Sequence, residues 1–238
     1  MHIKWNDQSR KWFENASEYT GYNKLLAEKL KKYIPYGGSL CDIGCGAGLF
    51  DYEMAEHCSS ITCVDISPEA IAQVKDGAAA RGIGNISALC ADAATLDGTW
   101  DTVTALFFGG SQFFEKYFPL ARERLIILTH AERKGKFGPE GHQVMKCSDI
   151  ASTKEYLEGL GLKYTHEYAA LEYGQPLSDM DEARAFVRAY SRPMSDEVLE
   201  AYLAEKLEKT GNAKWPYYLP NLKEFGIFVI RRDENEEF

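Results

Sequence analysis

Between residues 39 and 130 the chain alternates two periodicities, and that alternation limits its possible folds more than any other feature. Strand-like apolar runs occupy 39–43, 60–66, 86–92, 101–108 and 124–130. The stretches between them are helical or turn-like, with helical spacing clearest over 50–56 and 68–81. Strands that return after helical crossovers predict a mostly parallel sheet with helices on both faces.

The flanks are read in the same way. A helix is expected over 15–33, and the polar, glycine-rich stretch 131–143 reads as a loop. A helix over 148–162 and a strand over 163–173 follow, then helices over 179–190 and 195–209. The run 224–232 returns as a last strand before an acidic tail. The division predicted is a helical cap (1–36), a core (37–175), a helical insertion acting as lid and acceptor pocket (176–222), and a final strand with tail (223–238).

The first strand runs into "DIGCGAGLF", where Gly44, Gly46 and Gly48 precede a helix. Glycine adopts left-handed backbone angles and lets a ligand approach the main chain, and amides at a helix start can face polar ligand atoms. Asp65 ends the second strand 21 residues beyond Gly44, a separation at which a carboxylate can accept hydrogen bonds from a ribose diol. Asp92 ends the third strand, in position to receive a purine amino group. A pyrophosphate-binding G-x-G-x-x-G is absent, because its third glycine is replaced by Leu49. Asp42 would repel a pyrophosphate but can face an ammonium group. No Gly-Lys-Ser/Thr follows, so a P-loop is excluded.

Composition narrows the partners. A formal net charge of −9 disfavours a broad nucleic-acid surface, and no apolar run is long enough to span a bilayer. Six cysteines without a CxxC pair read as free thiols of a cytoplasmic protein, with no metal cluster. Met1–Ser9 does not resemble a signal peptide.

Together "LCDIGCGAGLF", "CVDISPEAI", "CADAATL" and "WDTVTALFF" resemble the successive signature segments of the class I S-adenosylmethionine-dependent methyltransferases. The resemblance covers roughly residues 38–130 and implies a Rossmann-like seven-stranded sheet whose last strand is antiparallel. It implies S-adenosyl-L-methionine as cofactor, with Asp42, Gly44, Gly46 and Gly48 around its methionine part. Asp65 would hold the ribose, Ile66 would pack on the adenine, and Asp92 with Ala93 would meet its amino group. Phe107 or Phe108 would line the place where donor and acceptor meet.

Methyl transfer from a sulfonium is an in-line displacement, and positioning supplies much of the catalysis. His130, at the end of the fifth strand, is the leading candidate base. His142, His57, His166 and Glu132 are weaker candidates. Tyr19 is a candidate pocket residue on the aromatic N-terminal helix, with Tyr22 three positions on. The chain lacks an Asn/Asp-Pro-Pro-Tyr/Phe segment, a Pro-Cys nucleophile and a grouped-carboxylate magnesium site. A small-metabolite acceptor remains, with a monomer or homodimer expected. The rival readings are a protein methyltransferase, a non-catalytic interaction protein retaining the fold, and a nicotinamide oxidoreductase.

Overall fold

The computed structural model describes residues 7–109 and 114–235. It divides the chain into two compact units. One comprises residues 23–131, 147–169 and 225–235 among those described, and the other 7–22, 132–146 and 170–224.

Among the described residues the main sheet has seven strands: β1 (Ser39–Ile43), β2 (Ser60–Asp65), β3 (Ile86–Cys90), β4 (Trp100–Leu106), β5 (Ala121–His130), β6 (Thr165–Glu172) and β10 (Leu222–Arg231). Their order is β3-β2-β1-β4-β5-β10-β6. The pairs β1–β2, β2–β3, β1–β4 and β4–β5 are parallel, whereas β10 runs antiparallel to β5. This is the expected seven-stranded arrangement with an antiparallel strand near the end of the chain.

Burial explains why β1 is so legible. It lies between β2 and β4, and Leu40, Cys41, Asp42 and Ile43 are all buried. A strand covered on both faces needs apolar residues at nearly every position. Cys41, Ile43, Val103, Ala105, Leu125 and Ile127 pack with Phe114, Phe118 and Phe228 in one core. The helices α3 (Leu49–Met54) and α4 (Pro68–Ala80) follow β1 and β2, with α5 (Phe114–Tyr117) ahead of β5 and α6 (Ile150–Gly159) ahead of β6. Ser67 caps α4 by accepting from the Ala70 amide at 3.2 Å, and Pro68 occupies the first turn, where its missing N–H has no consequence. The sheet's winding reverses at β1, with β2 to one side and β4 to the other. Ligand crevices in open α/β sheets form at such a point, beyond the carboxyl ends of the strands.

The expected helix over 15–33 is instead two: α1 (Asp7–Thr20) and α2 (Tyr22–Lys31). Gly21, at φ 66°, separates them, and the Thr20 hydroxyl closes the end of α1 on the Ala16 carbonyl at 2.6 Å.

The insertion is not purely helical. Besides α7 (Met180–Tyr190) and α8 (Asp196–Lys206), this part of the chain contains β7 (Gln175–Leu177), β8 (Glu208–Lys209) and β9 (Tyr217–Leu219). These form a three-stranded antiparallel sheet in the order β7-β9-β8. Its unit has its own core, in which Trp12 of α1 packs with Leu177, Phe186, Leu199, Leu203 and Leu219. The Trp12 indole donates to Glu182 Oε1 at 3.1 Å, so burying the ring leaves no orphaned N–H. No described helix is long and apolar enough to cross a membrane.

Candidate active site

The turn after β1 is held by backbone pairing to β2. Gly44, Gly46 and Gly48 have φ of 74°, 56° and 71°, the left-handed region that glycine enters at least cost. The Gly44 and Cys45 amides both donate to the Val64 carbonyl, at 2.8 and 3.1 Å. Gly46 N–H donates to Asp65 Oδ2 at 3.1 Å, and Gly48 N–H to the Cys45 carbonyl at 3.1 Å. The amides of Gly44, Cys45, Gly46 and Gly48 are therefore spent inside the protein. What the glycines provide is a tight turn without side chains, half-buried at Gly44 and buried at Gly46 and Gly48. At Gly44 the space is already tight: an added Cβ would lie 2.3 Å from the Phe108 ring.

Asp65 ties the second strand to this turn. Its Oδ1 accepts from the Ser67 amide at 2.9 Å while Oδ2 holds Gly46. A carboxylate offers about four lone-pair sites, so two remain for a diol. Beside it Ile66 is 59% exposed, an unusual state for isoleucine. Asp92 is exposed and its Oδ1 accepts from the Ala94 amide at 2.9 Å, starting a single 3-10 turn in which Ala93 is buried. These residues follow β1, β2 and β3, which are adjacent in the sheet.

Phe107 and His130 close the same end of the unit. Phe107 has φ 58° and is the only non-glycine described with a positive φ. A bulky residue held there is a local strain of a kind found at functional sites. Its ring lies 5.0 Å from that of His130 and 5.5 Å from that of Phe225, which pairs with His130 across β5 and β10.

The other candidates lie elsewhere. His57 is bonded to the Ile34 carbonyl at 2.7 Å, and His166 packs on Phe228, where burial lowers its pKa. His142 bonds the Pro193 carbonyl at 2.9 Å, and Glu132 lines a cleft with Lys134, Lys136 and Gln143; both belong to the second unit. Tyr19 is also in that unit, stacked with Trp215 and Tyr218 at ring separations of 5.8 and 4.8 Å.

Beneath the turn lies a feature the sequence does not disclose. Asp42 is 2% exposed, and the Thr104 hydroxyl donates to its Oδ1 at 2.6 Å. Asp51, in the first turn of α3, is fully buried, and neither carboxylate oxygen has a hydrogen-bond partner among the described residues. Burial, and then the charge of Asp51, hold Asp42 well above the usual carboxylate range despite the Thr104 bond. Burial pushes Asp51 up to about 7. A first-turn aspartate ordinarily signals a helix start facing solvent, so nothing local marks this one as buried.

The pair makes stability depend on pH. An acid whose pKa is raised on folding binds more protons in the folded state, so its contribution is full below the unfolded pKa and is lost as pH rises through the folded one. For Asp51 that window runs from 3.8 to about 7, and the loss is at most about 4 kcal/mol. Urea unfolding at pH 4.5 and pH 8 is expected to show the wild type losing stability and Asp51→Asn losing less, the remaining loss being that of Asp42, whose pKa burial still raises. Equal losses in both proteins would remove Asp51 as the source.

Residues 40–120 match the family described as a methyltransferase domain. The mouse (Mus musculus) protein EEF1A lysine methyltransferase 2 is 34% identical over 85 residues, which are 35% of this chain and 33% of that protein. The chain thus matches about a third of that relative's length. Among solved structures, the YcgJ protein of Bacillus subtilis superposes with a TM-score of 0.56 at 15% identity, covering 88% of this chain and 98% of its own. Magnesium protoporphyrin IX methyltransferase of Synechocystis PCC 6803, solved with bound SAH, gives 0.52 at 14% identity, covering 97% and 90%. At these identities the structural likeness concerns the fold.

Proposed function

We propose that the chain is a class I, S-adenosylmethionine-dependent methyltransferase that transfers a methyl group to a small-molecule acceptor, a reading supported by the match of residues 40–120 to the family described as a methyltransferase domain. The observation that carries the proposal is the joining of the 44–48 turn to Asp65 through the Gly46 amide. It brings the glycine turn, a carboxylate with unused lone pairs and the exposed Ile66 side chain together beyond the carboxyl ends of β1 and β2, beside the switch point of the sheet. That set suits a nucleoside carrying an amino-acid tail better than a dinucleotide.

Bound S-adenosylmethionine supplies a methyl group on a sulfonium centre. The protein's part is to hold and to exclude. Asp65 accepts from the ribose hydroxyls, Ile66 covers one face of the base, and Asp92 with Ala93 meets its edge. Gly44 and Gly46 lie against the methionine portion. Asp42, bonded to Thr104 beneath the turn, fixes the end of β1. Phe107 and Phe108 form an apolar wall that keeps water from the reacting centre. His130, held by Phe107, takes the acceptor's proton where the acceptor must lose one.

Similarity to a lysine methyltransferase supports a second reading, a protein acceptor. Incubating the protein and a methyl-labelled donor with a size-fractionated extract separates the two. Label in the low-mass fraction supports the small-molecule reading, and label confined to polypeptide overturns it in favour of the second. A folded protein that binds the donor but transfers no label to either fraction would favour a non-catalytic role. In the productive extract, His130→Ala is expected to lower turnover about 100-fold while leaving donor affinity unchanged. Unaltered turnover would remove His130 as the base.

A further inference from the structure

A second site lies at the opposite end of the main sheet's strands, across β5 and β10. Arg122, Glu123 and Arg124 stand at the start of β5, and Arg231, Arg232 and Asp233 at and beyond the end of the antiparallel β10. These six residues line a cleft of about 380 Å³, within the first unit. Arg124 is six residues upstream of His130 on β5, so about 20 Å of strand separates the cleft from the candidate active site.

Three observations point to an occupant. First, the cleft combines four arginines with two carboxylates in a chain whose formal net charge is −9. Second, Arg124 and Arg231 are direct partners across β5 and β10. Like charges facing one another across a strand pair destabilise it, so the arrangement calls for an anion between or beside them. Third, Arg124 Nε and Arg232 Nη1 are buried without a hydrogen-bond partner among the described residues. A buried cationic donor left unpaired is a standing penalty that an incoming oxyanion relieves.

The remaining guanidinium groups are partly engaged, which makes the site built rather than loose. Arg124 donates to the Tyr33 carbonyl and to Glu123 Oε2, each at 2.8 Å. Arg122 donates to Asp101 Oδ1 through two nitrogens, at 2.9 and 2.8 Å, and to the Thr99 carbonyl at 2.8 Å. The Arg232 amide donates to the Glu123 carbonyl at 2.7 Å, and its guanidinium lies over the Phe118 ring at 5.0 Å. Planar guanidinium forks held in this way match the oxygen geometry of phosphate.

We propose that this cleft binds a phosphate group, carried by a small molecule or free in solution, at a site separate from methyl transfer. Phosphate oxygens meet the exposed Arg231 guanidinium, and the phosphate charge offsets the Arg124–Arg231 opposition and the unpaired buried donors behind it.

Calorimetric titration with inorganic phosphate and with glycerol phosphate tests this, at ionic strength held constant with sodium chloride and with sodium acetate as a further control. The wild type is expected to bind phosphate saturably at one site. Arg231→Gln is expected to bind it about tenfold more weakly or worse. Because the substitution removes a repulsion, this variant is also expected to melt, without phosphate, no lower than the wild type. Tighter binding of glycerol phosphate would identify a phosphorylated metabolite as the ligand, and tighter binding of inorganic phosphate the free ion. Phosphate that acts no differently from chloride, or an Arg231→Gln protein that binds phosphate as the wild type does, overturns the proposal.

Discussion

Replacing Gly44 with alanine is expected to abolish saturable binding of S-adenosylmethionine and to destabilise the fold by about 3 kcal/mol. Two effects add. At φ 74° an L-residue suffers a local steric penalty of about 1–2 kcal/mol. The new Cβ would also lie 2.3 Å from Phe108, in backbone that is pinned to the Val64 carbonyl and unable to retreat. Phe108 must then swing away and rearrange the wall of the crevice, a displacement of the size that costs overpacked cores about 1–3 kcal/mol. Urea unfolding reads the stability and calorimetry the binding. An alanine variant that binds the cofactor normally would show that Gly44 does not lie against it. Gly82, also at positive φ (67°) but with open space around its Cβ, is the control: Gly82→Ala should carry the backbone penalty alone.

Asp65→Ala has the second largest expected effect, a loss of about 10- to 100-fold in cofactor affinity. Hydrogen bonds to a charged acceptor contribute about 1.5–3 kcal/mol, and the ribose diol would lose its acceptor entirely. The same carboxylate holds the Gly46 and Ser67 amides, so the variant should also lose about 3 kcal/mol of stability. Asp65→Asn separates these roles. It keeps an oxygen for one amide but brings an NH₂ group to the other contact, and is expected to fall between the wild type and Asp65→Ala. Unchanged affinity in a folded Asp65→Ala protein would remove the ribose contact from the account.

How much of this was legible in the sequence depends on where the determining contact lies. β1 could be placed to the residue because Leu40, Cys41 and Ile43, interrupted only by Asp42, run straight into the glycine turn, as a central strand covered on both faces requires. α4 was legible because Ser67 and Pro68 mark its start chemically. The helix expected over 15–33 was overextended, because residues on both sides of Gly21 are good helix formers and one left-handed glycine decides the break. β7, β8 and β9 have three, two and three residues, too few for a period-2 pattern to emerge, and they exist only through pairing with one another.

In the site the limits are similar. The glycines and Asp65 stand out because residue type and spacing carry the signal. The use of the Gly44 and Cys45 amides does not, because their acceptor, the Val64 carbonyl, belongs to another strand. The buried Asp51 and the arginine pair across β5 and β10 are likewise products of tertiary placement. Neither the charge of a residue nor its neighbours in sequence tells that it will be enclosed.

The central claim is that the crevice at the end of β1 and β2 receives S-adenosylmethionine, and calorimetric titration of purified, ligand-free protein tests it most directly. The account predicts saturable binding of one equivalent of S-adenosylmethionine and of S-adenosylhomocysteine, with no binding of NAD. Saturable binding of NAD alone, or failure of all three with folded protein, would contradict it.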